Sequence, residues 1–286
     1  MSASLPSAGT DARQGLIDSV DFWWHSIDLG DGSVTPGRKS AAWLQRELAA
    51  LQLPDLHGKS VLDIGAWDGY YSFAAERLGA RRVLALDHYV WSLDRARAEA
   101  YHARYARAGE AAPPIEQTDA WQPQTLPGKR GFDTARAALG SRVEDRVGDF
   151  MTVDAAALGR FDVVLFLGVL YHMENPLAAL RKLRTLTGGM AVIETHAVAV
   201  PAYEHHALCE FYPAGELDGD VSNWWGPNLA ALRALCLAAG FRRVEVKQGP
   251  PSKSALQEAL RRLHLFASGA RQRRPRHYRA IVHAYV

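Results

Sequence analysis

Two hydrophobic periods alternate along the chain. From Ser60 onward, short β-rich runs ("SVLDIG", "RRVLALD", "FDVVLFLG", "MAVIETH" and "FRRVEVK") are separated by segments whose apolar residues recur every three or four positions. The latter are "YYSFAAERLGA", "WSLDRARAEAYHARYARAG", "PLAALRKLRTLTG" and "PNLAALRALCLAAG". Strands that are apolar on both faces, each followed by an amphipathic helix, predict a parallel sheet covered by helices on both sides. The fold class is therefore α/β, a doubly wound, mostly parallel sheet. The closing "HYRAIVHAYV" has strand composition and no helix after it, so it is placed as a last, antiparallel strand at the sheet edge. Upstream, "RKSAAWLQRELAALQL" sets Ala42, Leu44, Leu48 and Leu51 near helical spacing and stops before Pro54.

Two stretches break the alternation. Residues 109–141 are proline-rich, and residues 200–226 carry paired aromatics with His205 and His206. Both are read as insertions that act as lids or binding loops. This divides the chain into an aromatic and helical extension over 1–57 and a domain over 58–286 with those insertions. The first dozen residues are small and polar and read as disordered.

Totals narrow the classes. With 286 residues, 48% hydrophobic and 22% charged, the chain can bury a sizeable core and is not disordered as a whole. A net charge of +2 gives no general pull toward nucleic acid or membrane, although Arg271 to Arg279 concentrates positive charge. Cys209 and Cys236 are too few for a disulfide scaffold and read as buried thiols of a reducing compartment. No apolar run is long enough to span a bilayer, and the start lacks an apolar signal core, so a cytoplasmic location is expected.

The candidate chemistry begins at "VLDIGAWDGYY". Gly65 and Gly69 sit where the first strand turns into a helix, and a missing β-carbon there permits a sharp bend and close ligand approach. Asp87 ends the next strand 22 positions after Gly65, a spacing that suits a carboxylate on ribose hydroxyls. Trp67 occupies the place of a dinucleotide fingerprint's middle glycine, and Asp63 and Asp68 add negative charge where a pyrophosphate would sit. Two carboxylates are matched to a cation such as a sulfonium, which favours S-adenosylmethionine over NAD.

Over roughly Lys59 to Lys247 the sequence resembles the class I S-adenosylmethionine-dependent methyltransferases, whose fold is Rossmann-like. That resemblance implies that Asp63 and Gly65 hold the methionine part and Asp87 the ribose, with Trp67, Asp68 and Gly69 completing the loop. It also implies adenine contacts from Asp149 and Phe150 in "VGDF" and a methionine pocket lined by Leu167 and Gly168. Within the class, "LGVLYH", "ENPL", "IETHAV" and "YRAIVHAYV" look most like the tRNA wobble-uridine carboxymethyltransferases and their small-molecule relatives. Tyr171 and Arg279 match two residues that clamp the extra carboxylate of that subfamily's cofactor. The segment "LIDSVDFWW" offers no lysine for the third, so the ordinary cofactor and plain methyl transfer are expected.

Methyl transfer to a hydroxyl needs a base for the proton. His172, Glu194 and His196 sit at the ends of predicted strands, and His172 is preferred because "GVLYH" follows the methionine-contacting strand. Each has a structural alternative: fixing a loop for the histidines, steadying a hydroxyl or a metal for Glu194. No metal is expected, since His206 and Glu210, four apart as on a helical face, do not make a site. Trp24, Trp224 and Trp225 in irregular segments are offered to substrate, with Trp23 weighed beside them, whereas Trp43 is assigned to packing. The leading expectation is a methyltransferase acting on a hydroxyl of a small molecule. A tRNA-modifying enzyme and a non-catalytic cofactor-binding module are the alternatives; nucleic acid is disfavoured as a partner, and no oligomeric state is assigned.

Overall fold

The computed structural model describes residues 8–30, 32–108, 110, 112–201, 203–251 and 275–286. Of the basic stretch Arg271 to Arg279, the first four residues lie outside this set, as do residues 1–7 of the segment expected to be disordered. Ala8 onward is instead helical. Two compact units divide within one strand, Met1–Leu165 and Phe166–Val286. Among the described residues, one sheet has seven strands in the order β3 (Glu144–Val147), β2 (Arg82–Asp87), β1 (Ser60–Ile64), β4 (Phe161–Leu167), β5 (Thr187–Ala199), β9 (Arg276–Tyr285) and β8 (Arg243–Gln248), and β6 (Cys209–Phe211) and β7 (Trp225–Pro227) form a separate two-stranded sheet.

In the first unit, α1 (Ala8–Asp18) and α2 (Ala41–Ala50) precede β1 (Ser60–Ile64), α3 (Tyr70–Arg77) and β2 (Arg82–Asp87). The short α4 (Tyr89–Ser92) and α5 (Arg95–Ala108) follow, then α6 (Arg130–Leu139), β3 (Glu144–Val147), α7 (Ala155–Leu158) and the start of β4 (Phe161–Leu167). Ser40 caps α2 by accepting from the Trp43 N–H, and Asp154 caps α7 in the same way. All five residues of β1 are buried, as its unbroken apolar run requires. β1 pairs in parallel with β2, and β2 with β3, so that Ile64 lies opposite Leu86 and Asp87 opposite Val147. The proline-rich segment is anchored to this core. Phe132 is fully buried, stacks 5.4 Å from Phe73 and leans on Trp91 at 5.1 Å.

In the second unit, α8 (Pro176–Leu186) starts with Asn175 accepting from the Ala178 N–H and Pro176 in the first turn, the pattern "ENPL" predicts. β5 (Thr187–Ala199), β6 (Cys209–Phe211), β7 (Trp225–Pro227), α9 (Leu229–Ala238), β8 (Arg243–Gln248) and β9 (Arg276–Tyr285) follow. β9 is antiparallel, as expected, but it runs between β5 and β8 instead of at the edge. Its "AIV" core is buried on both faces, which suits an inner strand, while the charged "FRRVEVK" takes the edge.

Three further expectations are corrected. Cys209 is exposed, because it lies on the small β6–β7 ribbon; Cys236 is buried within α9, where desolvation pushes its thiol up to about 12. Trp43 is 57% exposed, and its indole N–H donates to Glu47 across one helical turn. His206 and Glu210 share no helix, since Glu210 is on β6 and His206 lies in the preceding loop.

Candidate active site

The turn after β1 holds Gly65, Trp67 and Gly69 in the left-handed region, at φ 77°, 49° and 85°. At Gly69 a β-carbon would come within 2.7 Å of the Phe132 and Phe73 rings, so only glycine fits. Trp67 adopts a conformation that costs an ordinary residue about 1–2 kcal/mol. Its backbone is held on both sides: its N–H donates to Asp87 Oδ2 at 3.0 Å, and its carbonyl accepts from the Trp91 indole at 2.7 Å. Asp87 is buried and also receives N–H groups from His88, Val90 and Trp91, so the strand-end acid is wrapped in backbone donors.

Asp63 is equally buried and accepts from the Ser72 hydroxyl at 2.6 Å. Burial raises both acids to about 6, with the Asp87 charge adding to the effect at Asp63. Among the described residues neither is in an ion pair. This donor set fits a ligand that brings a positive charge and hydroxyls.

Asp68 is held otherwise. Its Oδ2 accepts from the backbone N–H groups of Trp24 and His25, each at 2.7 Å, and it is 2% exposed. The carboxylate thus ties the aromatic segment before α2 to the glycine turn. Trp24 stacks on Trp67 at 4.7 Å with ring planes 5° apart, and Phe22 continues the stack at 6.2 Å from Trp67. Trp23 is buried and donates from its indole to the Ile17 carbonyl. Beyond β3, Asp149 closes a turn by accepting from the Met151 N–H at 2.9 Å, Phe150 is buried, and the Gly148 N–H donates to the Asp87 carbonyl at 3.0 Å.

In the second unit Leu167 and Gly168 end β4, and Gly168, at φ 72°, donates its N–H to the Glu194 carbonyl at 3.0 Å. Glu194 and His196 are two apart on β5 and so share a sheet face; His196 lies opposite Arg279 on β9. The Arg279 guanidinium forms a two-pronged pair with the Glu194 carboxylate and lies 4.8 Å over the Tyr171 ring. Burial opposes its charge, and Glu194 and Tyr171 more than restore it, raising its pKa further.

The two histidines are held through opposite nitrogens. His196 Nε2 lies 3.1 Å from the Tyr212 hydroxyl, which donates its only hydrogen to Glu210 at 3.0 Å. His196 must therefore be the donor, protonated at Nε2. Burial, with His277 and Arg279 nearby, lowers its pKa to about 4, so the ring is neutral. His172, on a 3-10 turn after β4, places Nδ1 3.1 Å from the Ser222 carbonyl and 3.0 Å from its hydroxyl. A carbonyl only accepts, so Nδ1 carries the hydrogen and Nε2 the lone pair. Nε2 has no hydrogen-bond partner among the described residues, and burial lowers this ring's pKa as well. The Trp224 N–H donates to the Tyr171 carbonyl at 2.8 Å, and the Trp225 indole to that of Glu174 at 3.1 Å, which pins the "NWWGP" segment beside the His172 turn.

Asp220, Ser222, Tyr212 and His277 were not legible as site residues, because each acquires its role from a partner distant in sequence. Only "DVS" gave a local signal, a side-chain turn in which Asp220 accepts from the Ser222 N–H at 2.9 Å. Among the described residues no cluster of three or more metal-ligating side chains occurs. No helix among them is long and apolar enough to cross a membrane.

A mostly parallel seven-stranded sheet with a glycine turn after its first strand and an acid ending the second is the Rossmann-like fold that the class I S-adenosylmethionine-dependent methyltransferases share, and the family match places the chain among them. The chain belongs to the family described as "Methyltransferase domain", which matches residues 38–246. It is similar to the tRNA U34 carboxymethyltransferase of Idiomarina loihiensis, 26% identical over 237 residues covering 81% of this chain and 60% of that protein. Its match to the enzyme of that name from Dichelobacter nodosus is 41% identical over 93 residues, 32% of this chain and 28% of that one. The chain therefore spans less than two thirds of the length of these curated relatives. Among solved structures, the N-terminal domain of EvdMO1 with SAH bound has a TM-score of 0.60 at 17% identity, with each chain covered in full. Phosphoethanolamine N-methyltransferase 2 of Haemonchus contortus, in complex with S-adenosyl-L-methionine, has a TM-score of 0.52 at 14% identity, covering 87% of this chain and 54% of that one. These two likenesses concern the fold.

Proposed function

We propose that this chain transfers a methyl group from S-adenosylmethionine to a hydroxyl of a small molecule, a sugar unit or a secondary metabolite, with His172 as general base. The observation that carries the reading is the tautomer of His172. A neutral ring whose Nε2 keeps its lone pair and has no protein partner can accept a hydroxyl proton, whereas His196 has its Nε2 engaged with Tyr212. When bound, the cofactor supplies a methyl group on a positively charged sulfur, which becomes a neutral thioether when oxygen takes the methyl. Asp63, Gly65 and Asp87 hold its methionine and ribose parts, and Asp149 with Phe150 takes the adenine. Leu167 and Gly168 line the methionine side, Trp67 walls the turn, and Asp68 with Gly69 fixes its shape. His172 Nε2 takes the acceptor proton, becomes imidazolium and returns it to solvent. Tyr171, Trp224, Trp225 and Arg279 with Glu194 contact the acceptor. Unpaired cysteines and the absence of a membrane-crossing helix among the described residues support a cytoplasmic setting.

The test is mass spectrometry of small molecules released on denaturing the purified protein, a titration with S-adenosylmethionine, and a turnover screen of hydroxylated acceptors. A structural neighbour was crystallised in the presence of SAH and D-fucose, which puts deoxysugars first in that screen. Ordinary cofactor and a methylated hydroxyl are the expected result. A carboxylated cofactor would support a second reading, carboxymethyl transfer to an RNA base, which the names of the curated relatives and the Tyr171–Arg279 contact favour. In this chain Glu194 already occupies the guanidinium, so an added carboxylate would have to share it. Tight cofactor binding with no effect of His172→Ala or Glu194→Ala on any turnover would indicate a non-catalytic module.

A further inference from the structure

The loop that meets His172 is built in a particular way. The Asp220 N–H donates to the Leu217 carbonyl at 3.1 Å, the Asn223 side chain to the same carbonyl at 2.9 Å, and the Asn223 N–H to the Asp220 carbonyl at 3.2 Å. Asn223 is buried, so the loop is anchored from beneath, while Asp220 is exposed and Ser222 lies between them. Ser222 has one hydroxyl hydrogen, and its Oγ lies 2.6 Å from Asp220 Oδ1. A carboxylate only accepts, so that hydrogen goes to Asp220. The Ser222 oxygen must then act as acceptor toward His172 Nδ1, alongside its own carbonyl. Two independent acceptors thus demand a hydrogen on the same nitrogen. The result is a continuous chain from carboxylate to hydroxyl to imidazole, ending at the Nε2 lone pair.

We propose that Ser222 and Asp220 are positioning residues, which hold His172 in its Nδ1–H tautomer and compensate the positive charge the ring gains as it takes a proton; this rests on the reading of His172 as base. As Nε2 binds the acceptor proton, the charge spreads to Nδ1–H and strengthens its hydrogen bond to Ser222 Oγ, which is already polarised by Asp220. The other groups at the ring are Tyr171, whose ring centroid is 4.3 Å away, and Arg279, whose charge opposes protonation and is answered by Glu194. Asp220 and the Ser222 carbonyl are the groups that favour the charged ring, Asp220 the more strongly. Neither Ser222 nor Asp220 touches the reacting atoms; both act through His172.

Nitrogen-resolved NMR of the full chain, carrying 15N-labelled histidine, tests this without turnover. The His172 signals are assigned by their loss in His172→Gln. In the unaltered protein above neutral pH, the hydrogen is expected on Nδ1 and the lone pair on Nε2. The protonation midpoint of His172 should move to lower pH in Asp220→Asn and also in Ser222→Ala, and the double variant should add nothing further, because the two act as one chain. Asp220→Glu should restore part of the shift. With a working acceptor, kcat should fall on the order of tenfold in each single variant, less than the loss of the base itself. A hydrogen found on Nε2, or a midpoint that stays still or rises in Asp220→Asn, overturns the proposal even where turnover is normal. The tautomer is read on the unaltered protein, so a variant that does not fold leaves that measurement intact. If no acceptor is ever methylated, the functional reading fails while the tautomer and the midpoint still decide the role of the loop.

Discussion

The glycine turn of the first unit and the histidine cluster of the second hold their polar groups by different means. At the turn, Asp63, Asp68 and Asp87 are buried carboxylates satisfied mainly by backbone N–H groups and one serine. In the cluster, side chain answers side chain across long separations, as with Arg279 and Glu194, His277 and Glu210, or His172 and Ser222. Backbone-held acids shape a loop and are hard to remove without moving it. Side-chain networks can lose one member at a time, which suits proton handling and acceptor contact.

The largest effect that would sharpen this contrast comes from the second region. His172→Gln keeps a polar group of similar reach and removes the proposed base, so kcat should fall about 10²- to 10⁴-fold in a steady-state assay. Titration of S-adenosylmethionine should be unchanged. Equal loss of cofactor binding would break the comparison, since His172 would then be part of the cofactor site.

In the first region, Asp87→Asn turns an amide N–H₂ toward a ring of backbone N–H donors. Charge-assisted hydrogen bonds contribute about 1.5–3 kcal/mol, so cofactor affinity should weaken roughly tenfold to a hundredfold by calorimetry. Asp68→Asn should act differently, through the aromatic segment. It replaces the charged oxygen that accepts two N–H groups at 2.7 Å with a neutral amide oxygen, and stability should drop by about 1–3 kcal/mol in denaturant titration. Amide exchange at Trp24 and His25 should accelerate, and the Trp24–Trp67 stack should loosen. If stability falls without faster exchange at those two amides, Asp68 does not tie the segment down.

Much of the first region was legible in the sequence because its determinants are local. The run "VLDIG" specifies a buried strand, and an acid at the end of the next strand follows from the same alternation. What escaped reading was the use of Asp68. A carboxylate between Trp67 and Gly69 looks available to a ligand, and nothing in the spacing announces that Trp24 and His25, more than forty positions earlier, return to it. The strand β3 was also missed, because "EDRV" is polar and sits at the exposed sheet edge without a hydrophobic signature. In the second region His172, Glu194 and His196 are expected at strand ends and Arg279 from the resemblance, but β5 runs on to Ala199, so Glu194 and His196 lie within it, and none of their side-chain partners is announced by the sequence. The place of β9 between β5 and β8 brings Arg279 opposite His196, and that order follows from no local rule.

The smallest effect concerns charge itself and separates the two acids from the histidines. Asp63 and Asp87 rise from an ordinary 3.8 to about 6 on burial. Between those values the folded protein binds more protons than the unfolded chain, so the stability these groups contribute is greatest at low pH and is lost as pH rises through about 6. A cation beside them favours their ionised forms, so S-adenosylmethionine should bind more tightly as pH rises from about 5 to about 7, releasing protons as it does. The demethylated product lacks the sulfonium charge. Its affinity should change less, with a difference between the two ligands of up to about tenfold over that range, since a one-unit shift corresponds to a factor of ten. Calorimetry in two buffers of different ionisation enthalpy measures the proton release directly. Equal release for both ligands would mean that the acids serve the loop and the ribose alone, and that the preference for a cation arises elsewhere in the protein.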